Sequence, residues 1–383
     1  MANTIVGDKA TSISRPRLLS LDFFRGFTVA AMILVNDPGD WSHIYWPLEH
    51  SKWNGCTPTD LVFPFFLFMV GVSIVYAMQA KKTDTTAHPK LMLSILRRTV
   101  IIVLLGICLP LIGDFQFSHL RFPGVLQRIG IVFGITAVLY IKTNTRTQII
   151  IAAICLVGYY LLMTLVPVPG FGPASLNPET NLGAWVDRLV FTPNHLWGAS
   201  KTWDPEGLLG TIPAIGTCLI GVLTGIWLKS DKLKTGSQIL RLTNVGALLA
   251  VAGLIWNTFF PINKSLWTSS FVLFTAGLAI IILSVSYWFI DVKGYKKLLP
   301  PFLAFGRNAI AAYVLADVIP AIISIIPVKD NGHKTNIWSY MYFHLLTPNF
   351  SPENASLISA IFTVIIIFIP VWILYRKNIT VKI

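Results

Sequence analysis

Charged side chains are scarce in this sequence: Asp, Glu, Lys and Arg make up 12% of its 383 residues, and 54% of the residues are hydrophobic. A soluble domain carries about twice that charged fraction. With a mean hydropathy of +0.67, too few polar groups remain to cover a surface that faces water. The composition excludes an ordinary soluble protein and indicates that lipid surrounds much of the chain.

Cysteine is also rare, and the four that are present exclude two further classes. Cys108, Cys155 and Cys218 fall inside apolar segments and Cys56 precedes one, with no spacing typical of a disulfide framework or a zinc site. The sequence also has no solenoid-period repeat, no low-complexity tract and no linker between soluble domains. We therefore expect a single membrane-embedded domain over residues 1–383 that binds no metal.

What the sequence does contain is a series of long apolar segments. A helix needs roughly 20 mostly apolar residues to cross the hydrocarbon core of a membrane, and about ten segments meet this requirement. Their predicted bounds are 18–37, 58–80, 97–113, 122–141, 147–166, 208–228, 241–260, 267–289, 300–326 and 354–375. The sequence therefore predicts an all-α integral membrane protein, a bundle of about ten transmembrane helices.

Basic residues predict how these helices are oriented. Lys and Arg concentrate in every second connection, and such connections face the cytosol in membrane proteins. They lie within residues 1–17, 81–98, 142–146, 229–241, 293–297 and 376–382. Both termini are therefore expected in the cytosol, with residues 1–17 as an N-terminal tail. The opposite connections hold six of the seven histidines and include a long loop over residues 167–207. They are expected on the extracytoplasmic side of the cell membrane.

The net charge of +13 follows from the same arrangement. Cytosolic loops rich in Lys and Arg contact the anionic lipids of the inner leaflet. The sequence has no soluble basic domain interleaved with aromatic residues, which is the pattern of a nucleic-acid-binding surface. We expect the lipid bilayer as a partner and no nucleic acid.

Several ionisable residues fall inside the predicted helices, where each charge costs about 2.5 kcal/mol or more near the helix centre. They are Asp22, Arg25, Arg128, Arg307 and Asp317. Asp22 and Arg25 lie three residues apart, so they share a helix face and are expected to form a local ion pair. Charges at these two positions also argue against a cleaved signal peptide.

The segment RFPGVLQR places two further cations at the start of the fourth predicted helix. Arg121 and Arg128 lie seven residues apart, so they are expected on one helical face. Two guanidinium groups that face a bundle interior indicate an anionic group between the helices, either a phosphate or a carboxylate of the protein. The candidate carboxylates are those of Asp22, Asp60 and Asp317.

The connection between the first two predicted helices carries the densest polar chemistry. Thr57, Pro58 and Asp60 predict a helix start with a capping box, with Asp in place of the usual Glu. His50 lies in the turn before this helix, where a histidine can act as a proton acceptor or nucleophile or can be only hydrogen-bonded. Trp53 fits either an interfacial aromatic belt or a surface that stacks on a sugar. The residues alone leave these alternatives open.

Six motifs follow one another along the chain. They are SLDFFRG at 20–26, HSKWNGCTPTDLVFP at 50–64, RFPGVLQR at 121–128, PVPG at 167–170, DPEGLLGT at 204–211 and NKSLWT at 263–268. Together they resemble the catalytic domain of the heparan-α-glucosaminide N-acetyltransferase family, from about residue 16 to the C-terminus. The resemblance implies an enzyme that takes acetyl from cytosolic acetyl-CoA and passes it to an amino sugar across the membrane. It also implies a homodimer.

The resemblance further implies roles for individual residues. The family's active histidine corresponds to His50, and Asn36 and the acids Asp204 and Glu206 match further family positions on the extracytoplasmic side. The candidate residues for binding the acceptor are Asn36, Trp53, Asp60, Asn263 and Lys264. The acceptor is either heparan or an amino sugar derived from a bacterial cell wall.

Acetyl transfer to an amine needs a proton acceptor and donors for the tetrahedral oxyanion. His50 would pass the proton of the acceptor's ammonium to the leaving thiolate, or would first attack the thioester and become an acetyl-imidazole. A carboxylate commonly orients such a histidine, and we favour Asp204 and Glu206 over Glu49 for this role. Candidate oxyanion donors are Asn54, Asn36 and the backbone N–H groups at the start of the second helix.

The phosphates of coenzyme A need cationic partners. The candidates are Arg97, Arg98 and Arg307 near the cytosolic helix ends, and Arg121, Gln127 and Arg128 deeper in the bundle. Alternatively, Arg97 and Arg98 are only the basic residues that commonly flank the cytosolic end of a membrane helix.

Two other functions are compatible with the same features. A transporter or flippase also places Asp and Arg in helices interrupted by Gly and Pro, and an O-acetyltransferase of a cell-envelope glycan would use the same donor. The long loop at 167–207 and the histidines on one side favour a site at that face over a transport site at the membrane midplane. Turnover of acetyl-CoA distinguishes an enzyme from a transporter, and the linkage in the product distinguishes the two transferases.

Overall fold

A computed structural model describes residues 18–112, 115–230, 235–330 and 333–381. Its α-helices are α1 Leu19–Asn36, α2 Val62–Lys82, α3 His88–Cys108, α4 Val125–Lys142, α5 Thr145–Leu165, α6 Leu182–Phe191, α7 Thr211–Leu228, α8 Thr235–Trp256, α9 Ser269–Tyr287, α10 Pro300–Arg307, α11 Ala309–Ile325, α12 Ile337–Met341 and α13 Pro352–Arg376. The strands β1 Pro327–Asp330 and β2 His333–Asn336 form an antiparallel hairpin between α11 and α12. The predicted N-terminal tail, residues 1–17, lies outside the described residues.

The number of membrane-spanning helices agrees with the sequence. Nine helical segments in the described part of the chain are long and apolar enough to cross a membrane. The pair α10 and α11, which meet at an angle of 86°, gives a tenth span if it is counted as one. The prediction of an all-α membrane bundle with about ten spans is therefore confirmed, with the small hairpin as an addition.

The start of the fourth span differs from its predicted position. α4 begins at Val125, because Pro123 disfavours the helical conformation in the residue before it and Gly124 is extended, with φ of 177°. Arg121 therefore lies in the segment before the helix. The prediction that Arg121 and Arg128 share one helical face is wrong.

Asn308 forms the bend between α10 and α11. Its backbone leaves the helical region, with φ of −121° and ψ of 37°, and its side chain is buried. The amide Nδ2 donates to the carbonyl oxygen of Ile379 at 3.2 Å, and Oδ1 accepts the N–H of Val381 at 3.0 Å. The bend thereby holds the C-terminal segment, residues 377–381, against the bundle.

Glycines allow two pairs of helices to approach backbone to backbone. A Cβ on Gly71 of α2 would lie 2.0 Å from the carbonyl oxygen of Cys218 in α7. A Cβ on Gly26 of α1 would lie 1.7 Å from the carbonyl oxygen of Phe302 in α10. No side chain can occupy such distances without moving a helix, so main-chain contacts fix the spacing of α1 with α10 and of α2 with α7.

Replacement of Gly71 by Ala is expected to destabilise the bundle by about 1–3 kcal/mol, because the added methyl forces α2 and α7 apart. The matched control is Gly158→Ala in α5, where a Cβ would meet nothing within 4 Å. The thermal unfolding midpoint of the detergent-purified protein, followed by tryptophan fluorescence, measures the difference. Equal unfolding midpoints for the two variants would contradict the conclusion that main-chain contacts at Gly71 fix the spacing of α2 and α7.

Candidate active site

A cavity of about 490 Å³ runs through the bundle between α1, α2, α3, α4, α10 and α11. Thr59 and Met78, at opposite ends of the second span, both line it, which corresponds to a length of about 28 Å at the helical rise per residue. Its histidine end is formed by Asn36, His50, Thr59, Glu206 and Lys264. Its arginine end is formed by Arg25, Arg98, Arg307, Thr380 and Val381. Apolar side chains of α2 and α4 line the part between them.

His50 is held at the cavity by the start of the second span. A 3₁₀ turn over Pro58–Leu61 precedes α2, and Thr57 and Asp60 form the predicted capping box. The buried Asp60 carboxylate accepts the N–H of Thr57 at 3.0 Å and that of Ser51 at 3.1 Å through Oδ2. Its other oxygen, Oδ1, lies 2.7 Å from Nδ1 of His50. One carboxylate therefore caps the helix and orients the imidazole.

The contact with Asp60 determines which ring nitrogen of His50 is basic. A carboxylate only accepts, so Nδ1 carries the proton and donates it to Asp60. Nε2 then carries the lone pair of the ring. The side chain of His50 is 40% exposed while that of Asp60 is 1% exposed, so the ring faces the cavity and the carboxylate lies behind it.

Lys264 lies on the other side of the imidazole. Its Nζ is 3.0 Å from Nδ1 and 3.3 Å from Nε2 of His50, and 3.7 Å from Oδ1 of Asp60. Burial lowers the pKa of the Lys264 ammonium below its usual value, and the negative charge of Asp60 opposes that shift. Imidazole, carboxylate and amine thus form one compact cluster.

The loop that carries Lys264 is docked on the loop that carries His50. The N–H of Gly55 donates to the carbonyl oxygen of Ile262 at 2.7 Å, and Gly55 has a φ of +114°, which favours glycine. Nδ2 of Asn263 donates to Oδ1 of Asn54 at 3.2 Å. Asn54 and Asn263, which were singled out from the sequence, therefore join the two loops of the site.

The two acids favoured from the sequence as partners of His50 bind an arginine instead. Arg121 donates from Nε to Asp204 at 2.8 Å, and its Nη2 bonds to both Asp204 and Glu206. The expectation that Arg121 faces a carboxylate is met, but by these two acids rather than by Asp22, Asp60 or Asp317. Glu206 still reaches the lining of the cavity, while Asp60 is the carboxylate in contact with His50.

Arg128 is buried beside a second, smaller pocket. Its Nη2 donates to the carbonyl oxygen of Gly207 at 2.8 Å, and its guanidinium lies 5.2 Å from the ring centre of Trp267. Nε and Nη1 find no hydrogen-bond partner within the described residues. The side chains of Trp53 and Asp187 line the same pocket.

Asp187 is a site-proximal residue that the sequence analysis did not single out. It is a buried acid in the amphipathic helix α6, and burial raises its pKa to about 7. Its Oδ1 accepts the N–H of Leu208 at 2.8 Å. Gln127, a candidate for the cofactor, is buried beside Gly106 and Gly124 and lies outside the described cavity lining.

The arginine end contains two of the three arginines predicted near the helix ends. Arg98 lies over the ring of Phe133 at 4.8 Å, and Arg307 lies over the ring of Tyr375 at 5.1 Å. Arg97 is exposed and is absent from the described residues that line the cavity.

Arg25, which the sequence analysis treated only as an ion-pair partner, also lines the cavity. Its Nη1 lies 3.4 Å from Asp22, which confirms the expected local ion pair, and its Nη2 donates to Ser73 at 2.6 Å. The C-terminal segment contributes Thr380 and Val381. Thr380 and Val381 belong to none of the six motifs. The fold brings them to the cavity from a distant part of the sequence, so no local pattern indicated them.

The fold and the site together define a class of protein. It is a multi-pass membrane protein in which a histidine, oriented by a buried carboxylate, lies at one end of a passage and guanidinium groups lie at the other. A histidine of this kind can serve as a general base or as a nucleophile.

Comparison with known proteins identifies the family. The family model described as heparan-alpha-glucosaminide N-acetyltransferase, catalytic, matches residues 17–260. The human protein named heparan-alpha-glucosaminide N-acetyltransferase is 31% identical over 352 residues, covering 78% of this chain and 52% of the human protein. The mouse protein of the same name is 30% identical over 358 residues, covering 80% of this chain and 54% of the mouse protein. The chain belongs to this family and spans about half the length of these two relatives.

Replacement of Asp60 by Asn is expected to keep the helix cap and reverse the His50 tautomer. The amide oxygen can accept from Thr57 and Ser51, but its NH₂ group then faces Nδ1 and donates to it, which moves the ring proton to Nε2. Nitrogen-15 NMR of labelled histidine measures the tautomer, and the thermal midpoint should shift little. Asp60→Ala, which removes both functions, is the control, and an unchanged tautomer in Asp60→Asn would contradict the assignment.

Proposed function

We propose that the chain is a transmembrane N-acetyltransferase. It takes acetyl from acetyl-CoA at the arginine end of the cavity and transfers it to the amino group of a terminal glucosamine-type sugar at the histidine end. The observation that supports this proposal most directly is the single cavity that reaches both His50 and Arg307. Membership in the N-acetyltransferase family supports the same reaction type.

The lining of the cavity matches the chemistry of coenzyme A. The nucleotide part carries phosphates, which guanidinium groups such as those of Arg98 and Arg307 bind well. The pantetheine arm is narrow and uncharged, and the middle of the cavity is lined by apolar side chains such as Phe66 and Ile129. A length of about 28 Å lets an extended arm bring the thioester toward His50.

The transfer step uses the Nε2 lone pair of His50. Nε2 accepts the proton of the acceptor's ammonium, the free amine attacks the thioester carbonyl carbon, and the C–S bond breaks. The imidazolium then returns this proton to the thiolate, and the second proton, which the nitrogen loses as the amide forms, is released to water. In the covalent alternative, Nε2 attacks the thioester first and the amine attacks the resulting acetyl-imidazole. Asp60 remains ionised and orients the ring throughout.

Hydrogen-bond donors at the histidine end would stabilise the oxyanion that forms from the thioester carbonyl. Asn36, which was one of the donors suggested by the sequence, and Lys264 line the cavity there, whereas Asn54, the other suggested side chain, is absent from the described residues that line it. A cation or an amide N–H close to the thioester carbonyl stabilises the charge that develops on its oxygen. Arg121, Asp204 and Glu206 are proposed to shape the acceptor side of the site without contacting His50.

The basic connections support an orientation of the two ends of the cavity. Because connections rich in Lys and Arg adjoin the arginine end, we propose that this end and both termini face the cytosol, where acetyl-CoA is available. The histidine end and its acceptor then lie on the extracytoplasmic side. We propose a homodimer as the working assembly by analogy with the family.

Replacement of His50 by Ala is expected to lower acetyl transfer by about 10²- to 10⁴-fold, because the reaction loses its general base or acetyl carrier. The assay follows labelled acetyl from acetyl-CoA to glucosamine with the purified protein in detergent. His43→Ala is the matched control, since His43 is an exposed histidine of the same connection that pairs with Asp40. Absence of acetyl transfer and of CoA binding in the unmodified protein would favour a transporter, and an ester in the product would favour the O-acetyltransferase.

Replacement of Arg98 or Arg307 by Ala is expected to raise the Kd of coenzyme A about tenfold, which corresponds to about 1.4 kcal/mol. Arg97→Ala is the matched control, because Arg97 lies one residue from Arg98 and is exposed outside the cavity lining. Isothermal titration calorimetry at two salt concentrations measures the affinity and its electrostatic part. If Arg97→Ala and Arg98→Ala raise the Kd equally, the two arginines are ordinary basic residues at the cytosolic helix end and Arg98 is not part of a phosphate site.

A further inference from the structure

The atom beside the basic nitrogen of His50 is itself a primary amine. Nζ of Lys264 lies 3.3 Å from Nε2, and Lys264 is the only lysine among the described residues that line the cavity. A general base must lie within hydrogen-bonding distance of the proton that it removes. Lys264 therefore holds a primary amine against the imidazole of His50, within reach of the same base that an acceptor amine would need.

The environment of Lys264 supports reactivity as well as position. Its side chain is 17% exposed, and burial lowers the pKa of its ammonium, which makes the nucleophilic neutral amine easier to form. The neighbouring imidazole can accept the proton that the ammonium must lose. Lys52, by comparison, is exposed and lies only two residues from His50 in the sequence.

We propose that Lys264 is an internal acetyl acceptor, which this protein acetylates with the help of His50 when acetyl-CoA is bound and no amino sugar is present. This inference rests on the proposed function, because it uses the same donor and the same base. Nε2 of His50 takes a proton from the Lys264 ammonium, Nζ forms a bond to the acetyl carbonyl carbon, and the C–S bond breaks. That proton passes to the leaving thiolate, and the second proton, which the nitrogen loses as the amide forms, is released to water. The products are acetyl-lysine, free coenzyme A and one proton.

Acetylation of Lys264 would alter the histidine end in two ways. The amide carries no positive charge, so the attraction between Lys264 and Asp60 at 3.7 Å would be lost. The added acetyl group would also fill space beside Nε2 that the acceptor amine needs. The modification would therefore limit the enzyme when donor is present without acceptor, and an amino sugar in the site would protect against it.

The test uses the purified full chain in detergent, incubated with acetyl-CoA that carries carbon-13 in its acetyl group, with and without excess glucosamine. Peptide mass spectrometry measures the labelled fraction of Lys264 and of Lys52, which serves as the internal control. We expect at least tenfold more label on Lys264 than on Lys52, suppression of that label by glucosamine, and its loss in His50→Ala. The Lys264→Arg variant should carry no label at position 264, while the label on Lys52 stays unchanged.

The outcomes separate this inference from the proposed function. Transfer of label to glucosamine with Lys264 unlabelled in the absence of acceptor would overturn the inference alone. Equal labelling of Lys52 and Lys264, or labelling that persists in His50→Ala, would identify non-enzymatic acetylation and also overturn it. Absence of both transfer and labelling would remove the proposed function and the inference together.

Discussion

The site depends on one buried carboxylate. Asp60 accepts hydrogen bonds from the backbone of Thr57 and Ser51 and from the ring of His50, and the Lys264 ammonium lies 3.7 Å away. A buried charge costs several kcal/mol unless such partners surround it, so each of these groups is required by the same anion. The Asp60 carboxylate therefore determines three features together: the start of the second span, the orientation of the imidazole and the placement of the loop that carries Lys264.

That carboxylate also links parts of the chain that are far apart in sequence. His50 and Lys264 are separated by 214 positions, and they meet because the Gly55–Ile262 and Asn54–Asn263 hydrogen bonds join their loops. The cluster of His50, Asp60 and Lys264 is thus formed by two loops that are bonded to each other and to the start of the second span. Such support keeps reacting groups within the narrow range of geometry that chemistry requires.

The sequence predicted the features that depend on neighbouring residues and missed those that depend on distant ones. Apolar length determines a membrane span, and the capping box of Thr57 and Asp60 is determined within four consecutive positions, so both were recognised. Arg121 meets Asp204 across 83 positions, which no local pattern encodes. Asp60 was recognised as a cap, but its second oxygen, which orients His50, was not, because a cap residue usually engages only the backbone.

The glycine contacts described above fix the spacing of the helices independently of the width of the cavity. Main-chain atoms meet at Gly26 and Gly71, so the distances between these helices do not depend on the side chains that line the cavity. Phe66, Leu126 and Ile129 instead set its width. Changes at such positions can widen or narrow the passage while the helices stay in place.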